Sequence, residues 1–133
     1  MAKIAYQMTL TIPGGPQVNV SGNVNGDTYS KTDVEVPAQA GGTPGAKSVS
    51  VSAGAADKVV LLAITTDKGS YSEDVEFKLD SGAQDTLHLV APFVVVGSAA
   101  AQLIRTDPNT MVFTNKTAVP VKIEILMARN AVS

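Results

Sequence analysis

The chain has 133 residues, 44% of them apolar and 17% charged, with 10 Lys and Arg against 12 Asp and Glu for a net charge of −2. Globular chains carry about 25% charged residues, so this surface is wetted by Ser, Thr, Asn, Gln and Gly, or is buried against partner copies. The cations, among them Lys3, Lys31, Lys58, Lys78 and Arg105, form no stripe that would displace phosphate counterions, which argues against nucleic acid as a partner; the absence of Cys removes disulfides and thiolate chemistry.

Taken in chain order, Ile4, Tyr6, Met8, Leu10 and Ile12 fall on one face of an alternating segment, which predicts a half-buried strand over 3–12. Pro13-Gly14-Gly15-Pro16 is a turn, a strand over 17–25 follows, and Asn25-Gly26-Asp27 is the next turn signal. A strand over 33–37 leads to Ala38 to Gly45, a Gly-rich stretch read as a flexible loop or as an arm that orders on a neighbouring subunit. Ser48-Val49-Ser50-Val51-Ser52 has the polar face of an edge strand within 47–52. Strands over 58–65, 72–79, 84–90, 92–96, 101–105 and 110–115 are separated by turns such as Asp67-Lys68-Gly69 and Asp80-Ser81-Gly82. Only Ser98 to Ile104 has the Ala content for a turn or two of helix.

The last strand, over 118–129, places Val119, Val121, Ile123, Ile125 and Met127 on one face. Pro120 cannot donate to a ladder, so that end belongs at a sheet edge or a bulge. The opposite face, Lys122, Glu124, Leu126 and Ala128, turns apolar toward its end. A strand that is apolar on both faces is covered on both sides, here by a neighbouring chain or by a loop or helix of the same domain. Phe93-Val94-Val95-Val96 poses the same problem. Self-association through Phe93, Val94, Val95, Val96 and Leu126 is therefore expected, giving a closed homo-oligomer with a trimer as first choice and a dimer second. The fold expected is all-β: one antiparallel β-sandwich domain over residues 1–133, jelly-roll-like, with little or no helix and with the first and last long strands in the same core.

The longest apolar runs, Val59 to Ile64 and Phe93 to Val96, fall far short of the roughly 20 residues of a spanning helix, so no membrane attachment is expected. The first residues enter a strand pattern at once, without the apolar core of a secretory signal, and folding in the cytoplasm is the expectation.

The chemistry legible in the chain is sparse, and no enzyme is expected. The single His88 lies between Leu87 and Leu89 and points away from both; Asp85 falls on the face opposite to His88, and no strained G-x-S-x-G turn supplies a nucleophile. A solvated or subunit-contact histidine is the expected role. One His without Cys falls short of a zinc site. Oxygen ligands for calcium gather at Asp67, Glu73 and Asp74, at Asp80 and Asp85, and at Asn25 and Asp27, but none follows a calcium-loop spacing, so turn capping is the expected role. The carboxylate pairs Asp33 with Glu35 and Glu73 with Glu76 would need a cleft with aromatic platforms, whereas Tyr6, Phe77 and Phe113 fall on inward faces. Asn19-Val20-Ser21 and Asn115-Lys116-Thr117 fit the glycosylation acceptor pattern by chance if there is no secretion. No cofactor and no metal is expected.

From Thr110 to Asn115, through Lys116 and Thr117, to the strand Ala118 to Asn130, the chain resembles the closing hairpin of small β-rich virion proteins of tailed bacteriophages. In these a strand ending in Thr-Asn is followed by a short polar turn and a long apolar strand. The low charge, the Ser, Thr, Ala, Val and Gly content and the lack of Cys are similar elsewhere in the chain. The resemblance implies a capsid decoration, or cement, protein: a β-sandwich or jelly roll that trimerises on the shell, with the major capsid protein as partner and the virion as its location. It carries no catalytic or ligand residue to transfer. A tail or neck component, a carbohydrate- or ligand-binding β-sandwich, and a hydrolytic enzyme are the alternatives. The segments expected to reach the shell are Ala38 to Gly45, Met1 to Ala5 and Ala128 to Ser133.

Overall fold

A computed structural model describes residues 2–51, 58–82, 85–97, 101 and 107–130. The strands are β1 (Ala2–Thr11), β2 (Gln17–Gly26), β3 (Thr28–Val36), β4 (Gly45–Ser50), β5 (Val59–Thr66), β6 (Val75–Lys78), β7 (Leu87–His88), β8 (Phe93–Val96), β9 (Thr110–Asn115) and β10 (Val121–Arg129). All pair antiparallel, in one sheet of order β3-β10-β5-β8, a second of order β4-β9-β6-β7, and a separate two-stranded sheet of β1 and β2. The chain passes from sheet to sheet between β3 and β4, β4 and β5, β5 and β6, β7 and β8, β8 and β9, and β9 and β10, so each sheet interleaves early and late strands. This is the eight-stranded jelly roll, an antiparallel sandwich as the strand periodicity predicts. Among the described residues no helix is long and apolar enough to cross a membrane. The helical turn expected over 98–104 and the strand expected over 101–105 lie, Ala101 apart, outside the described residues.

Alternation builds the core. In the first sheet the registers Ile123 to Val34, Ile125 to Ile64 and Met127 to Leu62 align inward side chains across three strands. The second sheet answers with Val75, Phe77, Met111 and Phe113, all buried in the same cluster. Phe77 sits at its centre, edge-on to Phe93 at 5.5 Å and stacked on Phe113 at 6.0 Å, spacings at which aromatic pairs contribute beyond their buried area.

Two turns are set by backbone conformation. In the β1–β2 connection the Gly15 amide donates to the Ile12 carbonyl at 2.8 Å, with Gly14 at φ 74° following Pro13, the residue order of a type II turn. In the stretch 38–45, Gly41 at φ 58° and Gly42 at φ 79° reverse the chain between Ala40 and Thr43, which exchange amide and carbonyl at 3.0 and 2.9 Å. The Gln39 amide also donates to the Thr117 carbonyl at 2.9 Å. The Gly-rich stretch is thus a tight turn tied to the β9–β10 connection, in place of the flexible loop expected.

Several strand expectations are corrected. β1 does not enter the core beside β10: it pairs only with β2, and Met8, Leu10 and Ile12 are exposed. Asn25-Gly26-Asp27 does not reverse the chain; the Asp27 amide donates to the Arg129 carbonyl at 2.9 Å, and β3 continues along β10 from Thr28. Pro120 stands one residue ahead of β10, which is a central strand, and Val119 is 61% exposed instead of inward. Of the strand expected over 84–90, the described residues form strand at Leu87–His88. β4 is an edge strand, as its serines predict.

Candidate functional site

The two ends of the outer face of the β3-β10-β5-β8 sheet differ in chemistry. At one end Lys31 lies 3.7 Å from Asp33 and 3.8 Å from Glu124, and Asp33, Glu35, Asp67, Lys122 and Glu124 rim a groove of about 380 Å3. All of these side chains are exposed. The carboxylates Asp33 and Glu35 therefore belong to a solvated network of mixed charge, and such surface pairs contribute little.

The other end is apolar. Leu61 lies between Ala128 and Val96, and Ala63 between Leu126 and Val94, so these residues share the outward face. A register shift between Ala128 and Arg129 inserts Val60 into the ladder, and this bulge adds Val60 to the same outward cluster. The cover for this patch is the β1–β2 hairpin of the same chain. Ile4 and Val24 pack onto Val60, Leu61 and Ala128, as Val96 and Leu126 do, which answers, within the chain, the need for cover read from the last strand.

The hairpin is two-faced. Its registers Ile4 to Val24, Met8 to Val20 and Leu10 to Val18 stack apolar pairs on one side, with the Tyr6 ring lying over Gly22. The other side carries Lys3, Gln7, Thr9, Thr11, Gln17, Asn19, Ser21, Asn23 and Asn25. The base of the apolar side is packed, whereas Met8, Leu10, Ile12, Val18 and Val20 are 41–61% exposed. Between the hairpin and the sheet remains a groove of about 350 Å3.

The residues expected to self-associate are divided by strand alternation. Phe93 and Val95 turn toward the core, where they are half-buried, whereas Val94, Val96 and Leu126 line the groove under the hairpin. The hairpin itself was not among the residues expected to self-associate. Its strict alternation signals one apolar face, and that signal is the same for a face buried in a core.

The other candidate residues make the following contacts. His88 is exposed, with Nδ1 2.8 Å from the Glu73 carbonyl. Asp80 accepts from the Gly82 amide and, through its other oxygen, from the Thr110 amide, each at 3.2 Å. Among the described residues no three His, Cys, Asp or Glu side chains gather to hold a metal. Asn115 is fully buried: its side-chain amide donates to the carbonyls of Val119 at 2.8 Å, Pro37 at 3.2 Å and Val36 at 3.4 Å, while its oxygen accepts from the Thr117 amide and hydroxyl at 2.9 and 2.6 Å. The Asn-Lys-Thr triplet is thus a side-chain-capped turn that locks β9, β10 and the end of β3 together. Lys116 within it donates to Glu76 at 2.7 Å. That hydrogen bond and the carboxylate charge raise the ammonium pKa above its ordinary 10.5.

In comparison with known proteins, no protein-family model and no curated protein matches the chain.

Proposed function

We propose that this protein is a structural component of a tailed-bacteriophage virion, a decoration protein that binds the capsid from outside and stabilises it by bridging neighbouring capsomers. The observation that carries this reading is the hairpin: a complete two-sheet sandwich projects a third, apolar-faced sheet whose tip the described residues of the same chain leave half exposed. The jelly-roll topology is compatible, since it serves in viral shells and in lectins alike, and the closing β9–β10 hairpin carries the resemblance to phage virion proteins. Weak contacts of a charge-poor domain become strong when repeated over a symmetric lattice. The protein acts there as a homo-oligomer, a trimer, with the major capsid protein as partner. It folds in the host cytoplasm, takes no cofactor and catalyses no reaction. A sugar-binding role would call for paired aromatic platforms, and Tyr29 is the one aromatic among the exposed large apolar side chains of the described residues.

Imaging of purified particles with and without the gene tests the reading. Added density on the outer shell, and particles that break at lower temperature when the gene is deleted, are expected. Bare shells and unchanged particle stability would leave a tail component or a ligand-binding module.

A further inference from the structure

We propose that Asn25-Gly26 is a self-modifying hinge: an asparagine that cyclises onto the next backbone amide and deamidates when the β1–β2 hairpin lifts, and that the seated hairpin holds unreactive. It is the only Asn-Gly pair in the chain, and it stands immediately before Asp27, the single residue between β2 and β3. Glycine after asparagine leaves the attacking amide unshielded, because no Cβ crowds it. In the reaction the Gly26 nitrogen gives its proton to hydroxide and bonds to Asn25 Cγ, while the Cγ–Nδ2 bond breaks and Nδ2, taking a proton from water, leaves as ammonia. Water then opens the five-membered imide at either carbonyl, to aspartate or to isoaspartate. This step goes beyond the proposed function and needs neither a shell nor a second copy.

The fold supplies the restraint. Asn25 is exposed on the polar side of β2, open to water, whereas Gly26 is buried. Ring closure brings Asn25 Cβ and the Gly26 nitrogen to the same side of the Cα–C bond, a backbone angle outside the extended well that a strand residue occupies. To reach it, β2 must leave its register on β1 at Lys3 and Ala2. Gly26 must also move, and it is closely held: a Cβ there would lie 3.2 Å from both the Arg129 carbonyl oxygen and the Val60 side chain. The next amide, that of Asp27, donates to the same carbonyl at 2.9 Å. The hairpin base keeps these contacts closed, with Ile4 and Val24 packed against Val60, Leu61 and Ala128. A two-stranded hairpin is marginally stable in water, so its seat opens locally far more often than the sandwich unfolds. Isoaspartate adds one carbon to the backbone ahead of Gly26, and β2 then no longer keeps both its register on β1 and the Asp27 bond to Arg129.

Purified full-length protein is held in warm, mildly alkaline buffer, and the peptide containing Asn25 is followed by mass spectrometry for aspartate and isoaspartate. Conversion in the folded parent is expected to be more than about tenfold slower than in guanidinium chloride. Ile4→Asp, which unseats the hairpin base, is expected to approach the denatured rate while keeping the parent's β-sheet circular dichroism; if that variant loses the sandwich, Val24→Ala, a milder loss of packing, is read in its place. Isoaspartate chains are expected to exchange the backbone amides of β1 and β2 faster than unmodified chains. Equal rates in folded and denatured parent overturn the proposal, as does a hairpin variant that keeps the parent's rate. Conversion of another asparagine ahead of Asn25 in the denatured chain, or unchanged amide exchange after conversion, overturns it too.

Discussion

Asn115 shows how much one buried polar side chain can organise. Its amide reaches carbonyls that close β3 and enter β10, and its oxygen caps its own turn. Asn115→Ala removes the hydrogen bonds of a fully buried side chain and leaves its site empty, a loss of about 2–4 kcal/mol in urea denaturation, whereas Thr117→Ala costs about 1 kcal/mol. A change below about 1 kcal/mol for Asn115→Ala would remove it from the centre of the fold. Lys116 beside it has a pKa above 10.5 because of Glu76. A group whose folded pKa exceeds its unfolded value stabilises fully below the unfolded value and loses that contribution as pH rises through the folded one. Lys116→Met should therefore be less stable than the parent at neutral pH, with the difference closing as pH rises past 10.5; a difference that persists into strong alkali would show the pair is not its source. Asn-Lys-Thr is visible in the chain, but two of the three carbonyls that Asn115 reaches lie 78 and 79 residues away, beyond any local pattern.

Strands of equal regularity have unequal energetic weight. β1 and β10 alternate alike, yet Ile123 is fully buried and Leu10 is 53% exposed. Ile123→Ala should cost about 2–5 kcal/mol through lost burial and a residual cavity, while Leu10→Ala in the dissociated protein should cost less than about 1 kcal/mol. Equal losses, measured by denaturant titration at low protein concentration, would place β1 in the core after all. The connection from β3 to β4 is equally specific: a Cβ at Gly45 would run into the Pro37 carbonyl. Gly45→Ala must displace backbone, and a loss of about 2 kcal/mol or more is expected; a melting temperature unchanged from the parent's would contradict that packing.

The two four-stranded sheets and the hairpin make different demands on assembly. The sandwich closes its core within one chain, whereas the described residues leave the hairpin tip 41–61% exposed. Assembly that buries the tip makes stability depend on concentration. Parent melting temperature should thus rise with protein concentration, and that of Leu10→Glu should not; a concentration-independent melt for the parent would detach the hairpin from assembly.

What could be read along the chain is local and periodic. Alternation with period two located the long strands at the two ends and their apolar faces, and turn residues located most of the strands between them, because both effects act between residues adjacent in sequence. Alternation states that a face is apolar without stating what buries it. It took three-dimensional packing to determine that the face of β10 carrying Ile123 meets the second sheet, that its other face beyond Glu124 meets the base of the hairpin, and that the hairpin tip is left exposed by the described residues of its own chain. Those outcomes depend on strand order and on the bulge at Val60, which are set by contacts between segments far apart in the chain.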